Sequence, residues 1–86
     1  MFIHIGQNAV VAAEDVVAIF DLDNTTHSIK TREFLRRAEA GGNVITVSDE
    51  LPRSFIVTHR DGSTRVFISP IATATLQKRA EAGVLE

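Results

Sequence analysis

The 86-residue chain has the composition of one small folded domain, because 44% of its residues are hydrophobic and only 23% are charged. It contains no cysteine, which excludes disulfides and thiolate metal sites, and no apolar run near the roughly 20 residues of a membrane helix. The net charge of −2 excludes a strongly basic protein. We therefore expect a single domain over residues 1–86, located in the cytoplasm, with no cofactor, no membrane partner and no small-molecule substrate.

Charge is distributed unevenly along the chain. Residues 1–52 hold four basic residues against eight acids, a net charge of −4, whereas residues 53–80 hold five basic residues against one acid, a net charge of +4. A basic segment on an acidic chain favours contact with a polyanion, although a solvated surface of mixed charge would give the same count.

Three short strands are predicted at the start of the chain. Residues 2–5 and 9–12 flank Gly6-Gln7-Asn8 and predict an opening hairpin. Residues 16–20 are apolar at every position, which indicates a strand buried on both faces, either inside the domain or in an assembly. The three histidines of the chain do not have the spacing of metal ligands, so no metal site is predicted.

The next segment, Asp21-Leu22-Asp23-Asn24-Thr25, is similar to the opening motif of haloacid-dehalogenase-like phosphatases. In those enzymes the first aspartate is a nucleophile, the second is a general acid or base, and magnesium bridges to the phosphate. Only 61 residues follow Thr25, which is too few for the doubly wound domain of such enzymes. We therefore interpret Asp21 and Asp23 as structural residues of a turn, and predict that the protein is not an enzyme.

A helix is predicted over Ser28–Ala40, and Gly41-Gly42 ends it. Its apolar stripe consists of the residues at i, i+3, i+4 and i+7, namely Thr31, Phe34, Leu35 and Ala38. A fourth strand follows over residues 43–47, and residues 48–52 form a loop whose proline fixes the entry to the next strand.

The centre of the chain is a predicted β-hairpin, residues 54–58 and 64–69, around the turn dipeptide Asp61-Gly62. Counting outward from the turn places four apolar side chains on one face: Phe55, Val57, Val66 and Ile68. The other face has an apolar Ile56–Phe67 pair at its centre. A solvated face does not need such a pair, so another part of the chain or a neighbouring copy is expected to cover it.

The hairpin leads into a second helix, predicted over Thr73–Ala82, with Ser69 as a candidate cap and Pro70 at a permissive early position. Leu76 and Ala80 lie four residues apart on its apolar stripe. Together these patterns predict an α+β fold, with a small, mostly antiparallel sheet of about six strands and two helices.

Several segments resemble the bacterial extracellular matrix regulatory protein family, of RemA and RemB type. They are FIHIG at residues 2–6, VVAIFDLDNTT at 16–26, TREFL at 31–35, SFIVT at 54–58, ISP at 68–70 and TLQKR at 75–79. The resemblance spans essentially the whole chain, in order, and is closer to the RemB-type members. It implies a cytoplasmic protein that controls biofilm-matrix genes, and RemA-type members are DNA-binding regulators that assemble into ring-like oligomers.

The chain departs from the RemA-type pattern at two places. An arginine pair before the SFIVT-like strand is replaced here by Glu50-Leu51, and an arginine near the third strand is replaced by Glu14-Asp15. Two functions therefore remain open. One is an oligomeric DNA-binding transcriptional regulator, and the other is a self-assembling interaction or scaffold protein that does not bind DNA.

Residues for both activities follow from the strand and helix patterns. The cations predicted to contact double-stranded DNA are Arg53, Arg65, Lys78 and Arg79. Arg60 ranks lower, because Asp61 is its neighbour in sequence. The residues predicted to form the interface of a closed cyclic homo-oligomer are Val17, Ile19, Ile56 and Phe67.

Overall fold

The structure, a computed structural model, describes residues 1–22 and 29–82, without the side chains of residues 29, 31 and 82. The strands in these ranges are β1 (Phe2–Gly6), β2 (Ala9–Ala12), β3 (Val16–Asp21), β4 (Val44–Thr46), β5 (Ser54–Arg60) and β6 (Ser63–Ser69). The helices are α1 (Ile29–Ala40) and α2 (Thr73–Ala82), and a short 3₁₀ turn at Ala13–Asp15 precedes β3. The predicted α+β class is confirmed, although the predicted first residue of α1, Ser28, lies outside the described residues.

The six strands form two sheets, where one was predicted. Strands β1 and β2 pair with each other as the opening hairpin, and the other four form a sheet in the order β3-β5-β6-β4. Pairing is antiparallel except between β4 and β6, which run parallel at one edge. The described strands are therefore mostly antiparallel, as predicted.

The hairpin of β5 and β6 has the predicted register. Ile56 pairs with Phe67 and His59 with Thr64. The turn residue Asp61 has φ 51° and Gly62 has φ 80°. Two successive positive φ angles match the right-handed twist of a two-residue hairpin, which is why the Asp-Gly dipeptide fixes the register.

One face of this hairpin packs against α1 and carries the first of two core clusters. Phe55 and Val66 are fully buried there, with Leu35 of α1 packed against them. The ring of Phe20 stacks on Phe55, with ring centroids 4.8 Å apart. Phe34, which was predicted to lie on the buried stripe of α1, is instead 39% exposed. The side chain of Thr31, also predicted to lie on this stripe, is outside the described part of the structure.

The opposite face of the hairpin is covered by the chain itself. Ile56 is only 1% exposed and packs with Ile3, Ile5 and Val11 of the opening hairpin and with Leu76 of α2. The prediction that Ile56 belongs to a subunit interface is therefore wrong, because its side chain has no accessible surface to offer. The β1–β2 hairpin and α2 supply the cover that the Ile56–Phe67 pair required.

Strand β3 is not buried on both faces. The register between β3 and β5 shifts between Val16 and Ala18, so Val17 is an extra, bulged residue and is 65% exposed. Ile19 is half-buried and packs against the second cluster, that of Ile56. A bulge at a sheet edge turns a side chain outward and hinders further strand pairing there.

Two buried serine hydroxyls tie the layers together. Ser69 donates to the carbonyl of Ile5, at 2.6 Å, and accepts the N–H of Ile71, at 3.0 Å. Ser54 donates to the carbonyl of Ile71, at 2.7 Å. Ser69 thus links β6 to β1 and orders the turn before α2, and it is not the helix cap, since α2 begins at Thr73.

Ser69→Ala is expected to lower the free energy of unfolding by about 1–3 kcal/mol, because it leaves the N–H of Ile71 and the carbonyl of Ile5 without this buried partner. Urea denaturation followed by circular dichroism measures the change. Ser63→Ala, at the exposed start of β6, is the matched control and should change stability by less than about 0.5 kcal/mol. Equal stability of Ser69→Ala and the wild type would contradict the role given to this hydroxyl.

Candidate functional site

A cleft of about 350 Å³ opens between the β1–β2 hairpin and the turn end of β5–β6. Its apolar lining includes Phe2, Val10 and Phe67. Its charged lining consists of Asp15, Arg60, Asp61 and Arg65. Phe2 and Val10 are each about half exposed, so the cleft presents apolar surface to solvent beside charged groups.

Arg65 lies exposed at this cleft. Its backbone is held opposite Thr58, whose hydroxyl donates to the Arg65 carbonyl at 3.4 Å. No described acid lies within ion-pair distance of its guanidinium. Arg60, by contrast, pairs with Asp15 at 3.6 Å, whereas Asp61 was the expected neighbour. Arg65 is therefore the cation at the cleft that remains available to a partner.

Arg53 lies at the other end of the hairpin. Its backbone N–H donates to the backbone carbonyl of Ser69 at 2.9 Å, its carbonyl accepts from the N–H of Leu22 at 3.1 Å, and its side chain is exposed. Arg53 comes five positions before Thr58, the strand partner of Arg65. Five positions of a strand span about 17 Å. The structure thus separates Arg53 and Arg65, which were predicted to act together.

The two predicted cations of α2 differ in their surroundings. Lys78 is exposed, and no described acid lies within 4 Å of its ammonium. Arg79 is half-buried and donates through Nη1 to the carbonyl of His4 at 2.8 Å. Arg79 therefore clamps α2 onto β1, so its side chain reaches solvent only in part, less than was predicted.

The loop before β5 carries a feature that periodicity did not reveal. Leu51 is 81% exposed, the highest exposure among the large hydrophobic residues described, and Asp49 and Glu50 precede it. The N–H of Glu50 donates to the Ser48 hydroxyl at 3.0 Å, which holds the loop in a turn. A leucine next to a proline, with two acids before it, is the signal in the sequence that could have marked this loop.

The aspartate motif does not form a described catalytic site. Asp21 is half-buried at the end of β3, where its backbone pairs with Ser54. Asp23 lies outside the described residues. Within residues 1–22 and 29–82 no group of three or more histidine, aspartate and glutamate side chains could hold a metal ion. Among the helices of the same ranges, none is long and apolar enough to cross a membrane.

Comparison with known proteins gives two findings. Residues 2–80 match the family model described as RemA-like, extracellular matrix regulatory protein A-like. The chain is also 33% identical over 81 residues to extracellular matrix regulatory protein B of Bacillus subtilis (strain 168). That alignment covers 94% of this chain and 91% of the relative.

Proposed function

Because the chain belongs to the RemA-like family of extracellular matrix regulatory proteins, we propose that it is an oligomeric, DNA-binding transcriptional regulator located in the cytoplasm. Family membership supplies the role in matrix regulation and gives no support to phosphatase chemistry at Asp21. DNA binding and self-association are the finer parts of the proposal. Of the four predicted interface residues, Val17 has a largely exposed side chain and Phe67 lines the cleft.

The observation that carries DNA binding is a set of exposed cations without described acidic partners, namely Arg53, Arg65 and Lys78. Long cationic side chains bind phosphates without regard to sequence, with an affinity that falls steeply with salt. Arg65 lies on the face of the hairpin that α2 covers, so it and Lys78 belong to the same side of the sheet. Arg53 lies at the far end of the hairpin.

One copy offers too few cations for tight binding. Three phosphate contacts correspond to a slope of about −3 in a plot of log affinity against log salt concentration. Several copies in one assembly repeat the same cations along a duplex, and their combined affinity exceeds that of one copy. DNA binding and assembly therefore belong in one proposal.

Charge neutralisation tests DNA binding. We expect Arg53→Gln with Lys78→Gln to raise the Kd for a long duplex at least tenfold and to reduce the salt slope by about two per subunit engaged. Fluorescence anisotropy across a salt series measures both quantities. Arg36→Gln with Arg37→Gln removes two exposed cations from α1, on the other side of the sheet, and is the matched control.

The same titration separates the two functional classes. A wild-type protein that shows no binding at low salt and micromolar concentration would instead favour the interaction or scaffold protein. The pairing of Arg60 with Asp15 and of Arg79 with His4 is the observation that favours this second class, because it withdraws two of the five cations of residues 53–80. A larger rise in Kd for Arg36→Gln with Arg37→Gln than for Arg53→Gln with Lys78→Gln would place the DNA-binding surface on α1 and contradict the proposed contacts.

A further inference from the structure

Two surfaces at opposite ends of the β5–β6 hairpin complement each other. One is the acidic loop, defined as residues 48–52, which projects Leu51 into solvent. The other is the cleft beside the turn, lined by Phe2, Val10 and Phe67 with Arg65 among its charged residues. The side chain of Leu51 and the apolar walls of an otherwise polar cleft each leave hydrophobic surface in water that a contact between copies would remove.

Hydrogen bonds hold the acidic loop at both of its ends and at its first turn. The N–H of Val47, just before it, donates to the carbonyl of Ile68 at 3.1 Å, and the N–H of Arg53, just after it, donates to the backbone carbonyl of Ser69 at 2.9 Å. Between them, the Ser48 hydroxyl accepts the N–H of Glu50, and Pro52 fixes a backbone angle. A loop restrained in this way loses less conformational entropy on binding than an unrestrained one, which favours it as the inserted element.

The cleft has the size and the lining to receive this loop. A dry cavity of about 150 Å³ holds a benzene-sized group. A cleft of about 350 Å³ therefore has room for the side chain of Leu51 and part of its loop. Phe2 and Val10, 51% and 47% exposed, give it apolar walls that become buried when a side chain enters.

The charges of the two surfaces also match. Arg60 and Asp15 neutralise each other within the cleft, at 3.6 Å. The guanidinium of Arg65 is left without a described acidic partner, and Asp49 and Glu50 flank the leucine that would enter beside it. Asp61 also lines the cleft, at the tip of the hairpin, and is exposed as Arg65 is, but it does not form an ion pair with Arg65. Carboxylates of the loop would therefore find a cation at the cleft.

A copy cannot fill its own cleft. The loop enters β5 at Arg53, about 17 Å along the strand from the level of Arg65, and both of its ends are hydrogen-bonded in place. The contact must therefore join different copies. Because it uses two different surfaces of each copy, it is a head-to-tail contact, which closes into a ring when the rotation between copies allows it.

We propose that the acidic loop of one copy inserts Leu51 into the Phe2–Val10–Phe67 cleft of the next copy, with Asp49 and Glu50 placed against Arg65. The inference rests on the self-association part of the proposed function, and the contact forms without DNA. It assigns Arg65 to the subunit contact, so Arg53 and Lys78 remain as the DNA contacts.

Mass measurements on the full chain without DNA test this contact. Wild-type protein at tens of micromolar should have several times the 9.4 kDa monomer mass by native mass spectrometry and light scattering. Leu51→Glu removes the inserted side chain and Val10→Glu blocks the cleft, so each should weaken the contact at least about 30-fold and give monomers. Both positions are exposed, and circular dichroism should show a native fold.

A mixture of the two variants gives the sharpest result. Leu51→Glu keeps an intact cleft and Val10→Glu keeps an intact loop, so the mixture should form a dimer of one copy of each and nothing larger. If Val10→Glu does not fold, Phe2→Glu blocks the same cleft. A mixture that stays monomeric, a monomeric wild type, or an undiminished Leu51→Glu assembly would each overturn the head-to-tail contact.

Charge exchange and a matched control complete the test. Glu50→Arg and Arg65→Glu should each weaken assembly, and the double variant should recover at least part of it, which general destabilisation would not produce.

Phe34→Glu is the matched control for Leu51→Glu and Val10→Glu. It places a glutamate at an exposed apolar residue of α1 and should leave the mass unchanged. Loss of assembly in Val17→Glu while Leu51→Glu remains assembled would assign the interface to the β3 edge and contradict the proposal. DNA is absent throughout, so failure of DNA binding alone leaves these outcomes unchanged.

Discussion

Ile56→Glu is expected to abolish cooperative folding. The residue is 1% exposed and lies between the β5–β6 hairpin, the opening hairpin and α2. A carboxylate there would lack a described partner, and burying an unpaired charge costs several kcal/mol in addition to the lost packing. A domain of this size has a free energy of unfolding of about 5–10 kcal/mol, so most or all of it would be lost.

Thermal and urea unfolding followed by circular dichroism measure this effect. Val17→Glu puts the same charge on the adjacent strand at a bulged residue that is 65% exposed, and should cost less than about 0.5 kcal/mol. A cooperatively folded, monomeric Ile56→Glu variant would show that Ile56 faces a neighbouring copy after all. It would contradict the arrangement of the second core cluster.

Local signals predicted the parts of the fold that depend on neighbours in sequence. The register of β5 and β6 follows from Asp61-Gly62, because a two-residue turn with positive φ angles permits one pairing. The extents of α1 and α2 follow from their apolar spacing and from the glycines that end α1. Each of these predictions needs only residues within about ten positions of one another.

The errors concern contacts between distant residues. The Ile56–Phe67 pair predicted that some other surface covers it, but not which one. Ile5 and Leu76, which pack beside Ile56, are 51 and 20 residues away from Ile56 in the chain. Strand β4 has only three residues, and nothing in that length specifies a parallel partner. The unbroken apolar run of residues 16–20 does not predict the bulge at Val17 either, because the bulge arises from how β3 pairs with β5.

The candidate site follows the same rule. Strand and helix alternation predicted that Arg65, Lys78 and Arg79 reach solvent, and the structure exposes Arg65 and Lys78 but leaves Arg79 half-buried. Arg79 was misjudged because the carbonyl it binds, that of His4, lies 75 residues away in the chain. Arg60 was assigned to Asp61, its neighbour in sequence, but its guanidinium pairs with Asp15, which lies 45 positions earlier in the chain, just before β3.

Dispersal of the assembly is expected to have the largest effect on DNA binding, although Leu51 carries no charge. Linked copies bind one duplex with an affinity that can exceed that of a single copy by 10²–10⁴. Leu51→Glu separates the copies, so its Kd for a long duplex should rise by about that factor. Arg53 and Lys78 remain intact in each copy, so the residual binding should equal that of one subunit.

Duplex length distinguishes lost avidity from a lost contact. The protein extends over 33 Å, which corresponds to about 10 base pairs at 3.4 Å each. On a duplex of about 12 base pairs, wild type and Leu51→Glu should bind within about twofold of each other, whereas on about 60 base pairs they should differ by 10²–10⁴. Arg53→Gln with Lys78→Gln should weaken binding to both lengths. Equal weakening of Leu51→Glu on both duplexes would mean that the loop contacts DNA directly, because only a contact made by each copy separately is independent of duplex length.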